Sequence, residues 1–231
     1  MPKLNQDEWQ PLIQPVIDRF NREYERQAFD VPEEVQSMPI FQDWVSGALQ
    51  SKTTSPFWEV IQPQKKQRCL DIGCGFSFLI YPWREWDAFF YGQEVSTVAQ
   101  AALKSRGPQL NSKLFKGVEL GAAHHLQYEN EQFDLAIATG FSCYYPLEYW
   151  SLVLGEVKRV LKPGGILVMD VLDPASELAE NWAILETYLG AEVNLADLSA
   201  WQDCVSNAGG KIIKQRDREL FQMWKVAFTF G

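Results

Sequence analysis

Cys69-Leu70-Asp71-Ile72-Gly73-Cys74-Gly75-Phe76-Ser77 is the stretch on which the reading of the fold turns. Residues 68–72 are mostly apolar and have the length of a short buried strand. Two glycines follow. They permit a tight turn at which a ligand can approach the backbone closely. In open α/β sheets, the loop at the carboxyl end of the first strand is a place where ligands bind. A dinucleotide fingerprint G-x-G-x-x-G would need its third glycine at position 78, which is Phe78. The G-x-G pair alone leaves the cofactor open.

Downstream, strands and helices alternate. A strand over 88–91 ends at Gly92-Gln93-Glu94, and a helix over 96–106 follows with Ser96 as its cap. Further strands are predicted over 112–116 and 133–138. A helix over 147–161 places Trp150, Val153, Leu154, Val157, Val160 and Leu161 on one side. Lys162-Pro163-Gly164-Gly165 should stop that helix before a buried strand over 166–171. This alternation implies right-handed crossovers and a mostly parallel sheet covered on both faces. The tail differs. After a helix over 198–207, strand-like runs occupy 211–215 and 220–230. In the second, Trp224, Val226, Phe228 and Phe230 alternate with Lys225, Ala227 and Thr229. A period of two predicts a hairpin added antiparallel at the sheet edge.

Upstream of the quoted stretch the pattern is helical. Trp9, Leu12, Ile13, Val16, Ile17, Phe20 and Tyr24 follow the i, i+3, i+4 spacing of one helix face. Pro11 suits a first turn, whereas Pro15 predicts a kink or a later start. A second helix is expected over 39–49, with Phe41, Trp44, Val45 and Leu49 apolar. Residues 1–62 thus read as a helical cap preceding a ligand-binding domain over 63–231. The aromatics Tyr24, Phe41, Trp44, Phe57 and Trp58 give the cap an inner face that is partly core and partly pocket.

Composition narrows the class. The chain has 231 residues, 46% of them apolar, enough for a large core. Nine Trp and fourteen Phe supply large buried surfaces or pocket walls. No run of about 18 apolar residues exists, so no bilayer span is expected. Residues 1–10 are polar and acidic, unlike a secretory signal. A net charge of −9 argues against nucleic acid as a partner. Lys65, Lys66 and Arg68 read as a solvated loop. Cys69, Cys74, Cys143 and Cys204 match no zinc framework and fit a reducing cytosol, hence a cytoplasmic protein. The two histidines, His124 and His125, have no carboxylate or cysteine at ligand spacing, so no metal is expected.

Glu94 completes the candidate site. It lies nineteen residues after Gly75, at the end of the next strand. A carboxylate there can accept both hydroxyls of a ribose, each charge-assisted bond contributing about 1.5–3 kcal/mol. Val95 would lie against a base. Asp71 places negative charge where a cationic ligand gains and a pyrophosphate loses, which favours an ammonium- and sulfonium-bearing ligand over NAD.

With those residues in place, the chain resembles the class I S-adenosylmethionine-dependent methyltransferases, in the methyltransferase-11-like subgroup that acts on small molecules. Four segments carry the resemblance: Leu70-Asp71-Ile72-Gly73-Cys74-Gly75, Gly92-Gln93-Glu94-Val95-Ser96, Gln132-Phe133-Asp134-Leu135-Ala136-Ile137, and Arg159-Val160-Leu161-Lys162-Pro163-Gly164-Gly165. With the tail they cover roughly residues 67–231. The resemblance implies a Rossmann-like α/β fold: a seven-stranded sheet, mostly parallel with an antiparallel last strand, and helices on both faces. It implies S-adenosylmethionine as cofactor, held by Asp71, Gly73, Cys74, Gly75, Glu94, Val95, Ala123, His124 and Thr139.

Two departures stand out. Ser77 takes the place of a third glycine. Ala122 takes the place of an acid that accepts the adenine amino group, a loss of about 0.5–1.5 kcal/mol. The backbone of Ala123, the side chain of Leu126 and His124 are the groups left to address the adenine. The loop Gly140-Phe141-Ser142-Cys143-Tyr144-Tyr145-Pro146 lacks the Pro-Pro-Tyr signature used for amines of bases or glutamine. Tyr144 and Tyr145 either line a substrate pocket or pack beneath the N-terminal helices. Asp170 and Asp173 flank the end of the fifth strand, and no general base is assigned. The expected function is methyl transfer to a small-molecule acceptor. A binder of S-adenosylmethionine or S-adenosylhomocysteine without catalysis, and a methyltransferase of protein or RNA, are the alternatives.

Overall fold

The structure, a computed structural model, describes residues 8–106 and 113–230, apart from the side chains of residues 83 and 84. Four helices come first: α1 (Gln10–Tyr24), α2 (Glu33–Gln36), α3 (Pro39–Ser46) and α4 (Leu49–Thr53). The sheet then builds from β1 (Arg68–Ile72), β2 (Phe89–Glu94), β3 (Phe115–Leu120), β4 (Phe133–Ala138) and β5 (Leu161–Leu172). Helices α5 (Trp83–Trp86), α6 (Thr97–Arg106) and α7 (Leu147–Val160) alternate with them. Helices α8 (Ala179–Leu189) and α9 (Leu198–Asn207) precede β6 (Gly210–Asp217) and β7 (Phe221–Phe228).

The strand order is β3-β2-β1-β4-β5-β7-β6. The strands β1 to β5 pair parallel, and β7 runs antiparallel to both β5 and β6. This is the seven-stranded, Rossmann-like arrangement implied by the family resemblance. The order reverses between β1 and β4, and a crevice opens outside the carboxyl ends of strands at such a switch point.

Several local readings change. The helix α1 begins at Gln10 and contains Pro15, so the later start expected there does not occur. Pro15 is exposed, so the lost backbone bond faces water, while Ile13 and Val16 pack inward. The helix expected over 39–49 is two helices. Gly47, at φ +80, ends α3 in the left-handed conformation before α4 begins. The strand expected over 112–116 is β3, which runs later and longer; Ser112 lies outside the described residues. Only Val118 of β3 is buried, which explains its weak apolar signal. The segment 162–165 lies inside β5 as an irregularity. Phe133 pairs with Leu161 and Leu135 with Ile166, so the intervening residues bulge. The helix α8 was not anticipated; it buries Ala179, Trp182, Leu185, Glu186 and Leu189.

The helices ahead of β1 share the domain's core. Ile13, Val16, Val31, Val35, Ile40 and Leu49 belong to one buried cluster with Tyr149, Trp150 and Leu185. Phe57 and Val60 join the cluster on the sheet's other face, with Phe78, Phe90 and Leu103. All four cysteines are buried free thiols. Among the described residues, no helix is long and apolar enough to cross a membrane, and no group of ligating side chains could hold a metal ion.

Candidate cofactor site

The turn after β1 takes its shape from its glycines. Gly73 and Gly75 have φ of +65° and +45°, values that L side chains rarely adopt. Space excludes a side chain as well. A Cβ on Gly73 would lie 2.9 Å from the Phe141 ring, and one on Gly75 would lie 2.8 Å from the Tyr24 hydroxyl. Gly73 N–H donates to the Gln93 carbonyl at 2.8 Å, pinning the turn to β2. Phe78, which breaks the dinucleotide fingerprint, is buried beneath β2. Its ring lies 2.7 Å from where a Gly92 Cβ would stand.

Glu94 sits at the end of β2 and is 5% exposed. Its Oε2 accepts the Gly75 N–H at 2.6 Å, and its Oε1 accepts the N–H groups of Val95 and Ser96 at 2.9 Å each. Burial pushes its carboxyl up from the ordinary value, and these three bonds oppose that shift. Ser96 caps α6, accepting Ala99 N–H at 3.0 Å, and donates to Asn21 Oδ1 of α1 at 2.5 Å.

A cavity of about 220 Å³ opens above this turn. Gly73, Cys74, Gly75, Glu94, Val95, Ala123, Thr139 and Tyr145 all line it. The helix α1 roofs it with Val16, Ile17, Phe20 and Tyr24, and Phe141 and Tyr149 close the far wall. The amphipathic face of α1 thus covers ligand space as well as core. The glycine cradle and the carboxylate at its rim fit a ribosyl ligand.

Three expected residues stand elsewhere. Asp71 lies behind the glycine turn rather than on the cavity wall. It is 2% exposed, the Tyr81 hydroxyl donates to it, and its Oδ2 has no partner. Burial raises its pKa to about 8. His124 turns its ring edge toward Tyr149, with Nδ1 3.3 Å from the tyrosine hydroxyl, and partial burial lowers its pKa. Tyr144 donates to Glu186 Oε2 at 3.0 Å and packs edge-on against Phe20, beneath α1. The two neighbouring tyrosines thus face different spaces.

Other groups that shape the site act across long stretches of chain. Gln93 Nε2 donates to the carbonyls of Ala122 and His125 at 2.8 and 3.1 Å, and its Oε1 accepts Gln127 N–H at 3.2 Å. It therefore holds the 121–127 loop from beneath, and the Ala122 carbonyl is engaged there. Asp170, fully buried at the end of β5, accepts Gly140 N–H at 2.9 Å and Ser142 Oγ–H at 3.4 Å. It fixes the loop after β4, and burial lifts its pKa to about 6.

Residues 70–169 match a family described as Methyltransferase domain. The matched segment is a methyltransferase domain, and it makes up less than half of the chain. A phthiotriol/phenolphthiotriol dimycocerosates methyltransferase of Mycobacterium ulcerans is 43% identical over 60 residues, 26% of this chain and 21% of that protein. The bifunctional biotin biosynthesis protein BioHC of Saccharophagus degradans is 26% identical over 178 residues, 74% of this chain and 31% of its own length. The matches therefore span less than a third of these curated relatives. Among solved structures, an S-adenosylmethionine-dependent methyltransferase of Methanosarcina mazei superposes with a TM-score of 0.61 at 17% identity, covering 78% of this chain and all of that one. The likeness establishes the shared fold of the methyltransferase domain. S-Adenosylmethionine is the cofactor that this domain family uses.

Proposed function

We propose that the protein transfers the methyl group of S-adenosylmethionine to a small-molecule acceptor. The observation that carries this reading is Glu94. Its carboxylate lies at the rim of a roofed cavity, beside a turn that tolerates no side chain at two positions. Glu94 would hold the ribose, Val95 and Ala123 would flank the adenine, and the turn at Gly73 and Gly75 would admit the methionine portion. When bound, the cofactor supplies a methyl group already activated on a sulfonium. The chain's own task is then to position the reactants and exclude water. The α1 roof and the rings of Phe141 and Tyr145 suit that task.

The cavity offers little to abstract a proton. Glu94 is engaged by three backbone N–H groups, and burial raises the pKa of Tyr24, Tyr145 and Tyr149. The acceptor therefore brings its own nucleophilic lone pair. The names of the relatives concern a dimycocerosate and biotin, which supports a small acceptor over a polymer. The charge of −9 counts against RNA. Buried free thiols support a cytoplasmic setting.

Thermal unfolding with S-adenosylmethionine, S-adenosylhomocysteine, NAD and NADP tests the cofactor. Stabilisation by the first two is expected, and stabilisation by NAD alone would refute the reading. Release of S-adenosylhomocysteine over a panel of small acceptors then distinguishes an enzyme from a binder.

A further inference from the structure

A second cavity, of about 370 Å³, lies beside the first and shares Phe20 and Gly140 with it. Its aromatic walls include Trp44 of α3, Tyr144 and Trp182 of α8. Two charged residues line it, Arg19 and Glu23 of α1. A buried guanidinium invites the reading that an anion binds there. The geometry opposes it. Arg19 Nε and Nη2 donate to the two oxygens of Glu186 at 2.7 and 2.9 Å, and Nη1 donates to Glu23. The Phe20 ring covers the guanidinium, 4.4 Å from its Cζ.

Charge settles the sign. Arg19 is matched by Glu186, which is fully buried, in a bidentate pair. Arg19 is also shared with Glu23, so the two carboxylates together outweigh the one guanidinium, and the Glu23 side chain is 40% exposed. Among the described residues, no second cation lines the cavity. Aromatic faces beside a partly exposed carboxylate, in a cavity with a net negative lining, attract a cation and repel an anion.

We propose that this cavity is the acceptor site, and that it takes a flat apolar molecule whose head is uncharged or cationic and lies near Glu23. The assignment rests on the methyltransferase reading above. The head near Glu23 anchors the molecule, and the methylated atom is a separate one that carries its own lone pair. Arg19 serves to dock α1 rather than to bind a substrate.

Three indoles of one shape and different charge test this: tryptamine, 3-methylindole and indole-3-acetate. Each is titrated calorimetrically into the full-length protein, with and without saturating S-adenosylhomocysteine. With S-adenosylhomocysteine, tryptamine should bind tightest, 3-methylindole less tightly, and indole-3-acetate at least about tenfold more weakly than the amine. Glu23→Gln should weaken tryptamine about fivefold and leave 3-methylindole unchanged, which also shows that the variant is folded. Trp44→Leu should weaken all three. Indole-3-acetate binding as tightly as tryptamine, or tryptamine indifferent to Glu23→Gln, overturns the proposal. A protein stabilised by S-adenosylhomocysteine that binds none of the indoles also overturns it while leaving the cofactor reading intact. No stabilisation by S-adenosylhomocysteine removes both.

Discussion

Glu94 accepts three backbone N–H groups and still borders the cavity, so it shapes the glycine turn as well as facing the ligand. Glu94→Ala removes both roles. Calorimetry should show S-adenosylhomocysteine binding weakened by about 10- to 100-fold, the loss of one charge-assisted partner. Unchanged affinity would place the ribose elsewhere. Gly75→Ala tests the turn. It combines a φ of +45° with a contact 2.8 Å from the Tyr24 hydroxyl. If the contact dominates, adding Tyr24→Phe restores part of the lost affinity; if strain dominates, nothing returns. Asp71 gives a pH prediction. Its pKa is about 8 in the folded chain against an ordinary 3.8, so between those values the folded state holds a proton that the unfolded state has released. Its contribution to stability is therefore greatest below about pH 4 and falls as pH rises to about 8. Asp170, raised to about 6, adds the same sign over a narrower window. Asp71→Asn should flatten the fall in Tm between pH 5 and 8, and an unaltered slope would assign it to other groups. The glycine turn and Glu94 are legible in sequence because turn chemistry and strand ends are local. Gln93 and Glu186 are not, since their partners lie 29 and 167 residues away.

Among the elements, α1 is the one whose placement matters most. A buried ion pair with Glu186 of α8, a bond from Ser96 and the rings of Phe20 and Tyr24 hold it across the cavity. Removing Glu186 takes the bidentate partner from a buried guanidinium and leaves it only the partly exposed Glu23. Glu186→Ala should therefore cost about 3–5 kcal/mol in urea unfolding, whereas Arg19→Met with Glu186→Met should come close to neutral. A double variant as damaged as the single one would show that the pair contributes more than mutual neutralisation. The periodicity of α1 was readable, and so was its amphipathic face. Its passage through Pro15 was not, because packing of Ile13 and Val16 on the core outweighs a backbone bond lost on the solvent side. The helix α8 is not legible in the sequence for a related reason: its buried face includes Glu186, a charged residue neutralised by the distant Arg19.

At the scale of the molecule, the helices ahead of β1 share a buried cluster with the sheet and roof the cavity above the glycine turn. A chain beginning at residue 27 loses Ile13, Val16 and Arg19 from the interior and the roof from the cavity. Thermal unfolding should show a lower Tm and no shift with S-adenosylhomocysteine. A shift of normal size in that truncation would mean that the sheet domain binds its ligand unaided. The sequence by itself determined the alternation of strands and helices, the antiparallel tail, the glycine turn and the acid after β2. Periodicity, turn chemistry and strand-end position are properties of neighbours along the chain. The tertiary structure decided which face of α1 became a roof, that Asp71 stands behind the turn, and that Tyr144 and Tyr145 serve different cavities. It also decided that Arg19 is shared by Glu186 and Glu23, whose two carboxylates outweigh the one guanidinium. Those facts depend on which distant groups meet in a low-dielectric interior, and a charge there is defined by its partners rather than by its place in the sequence.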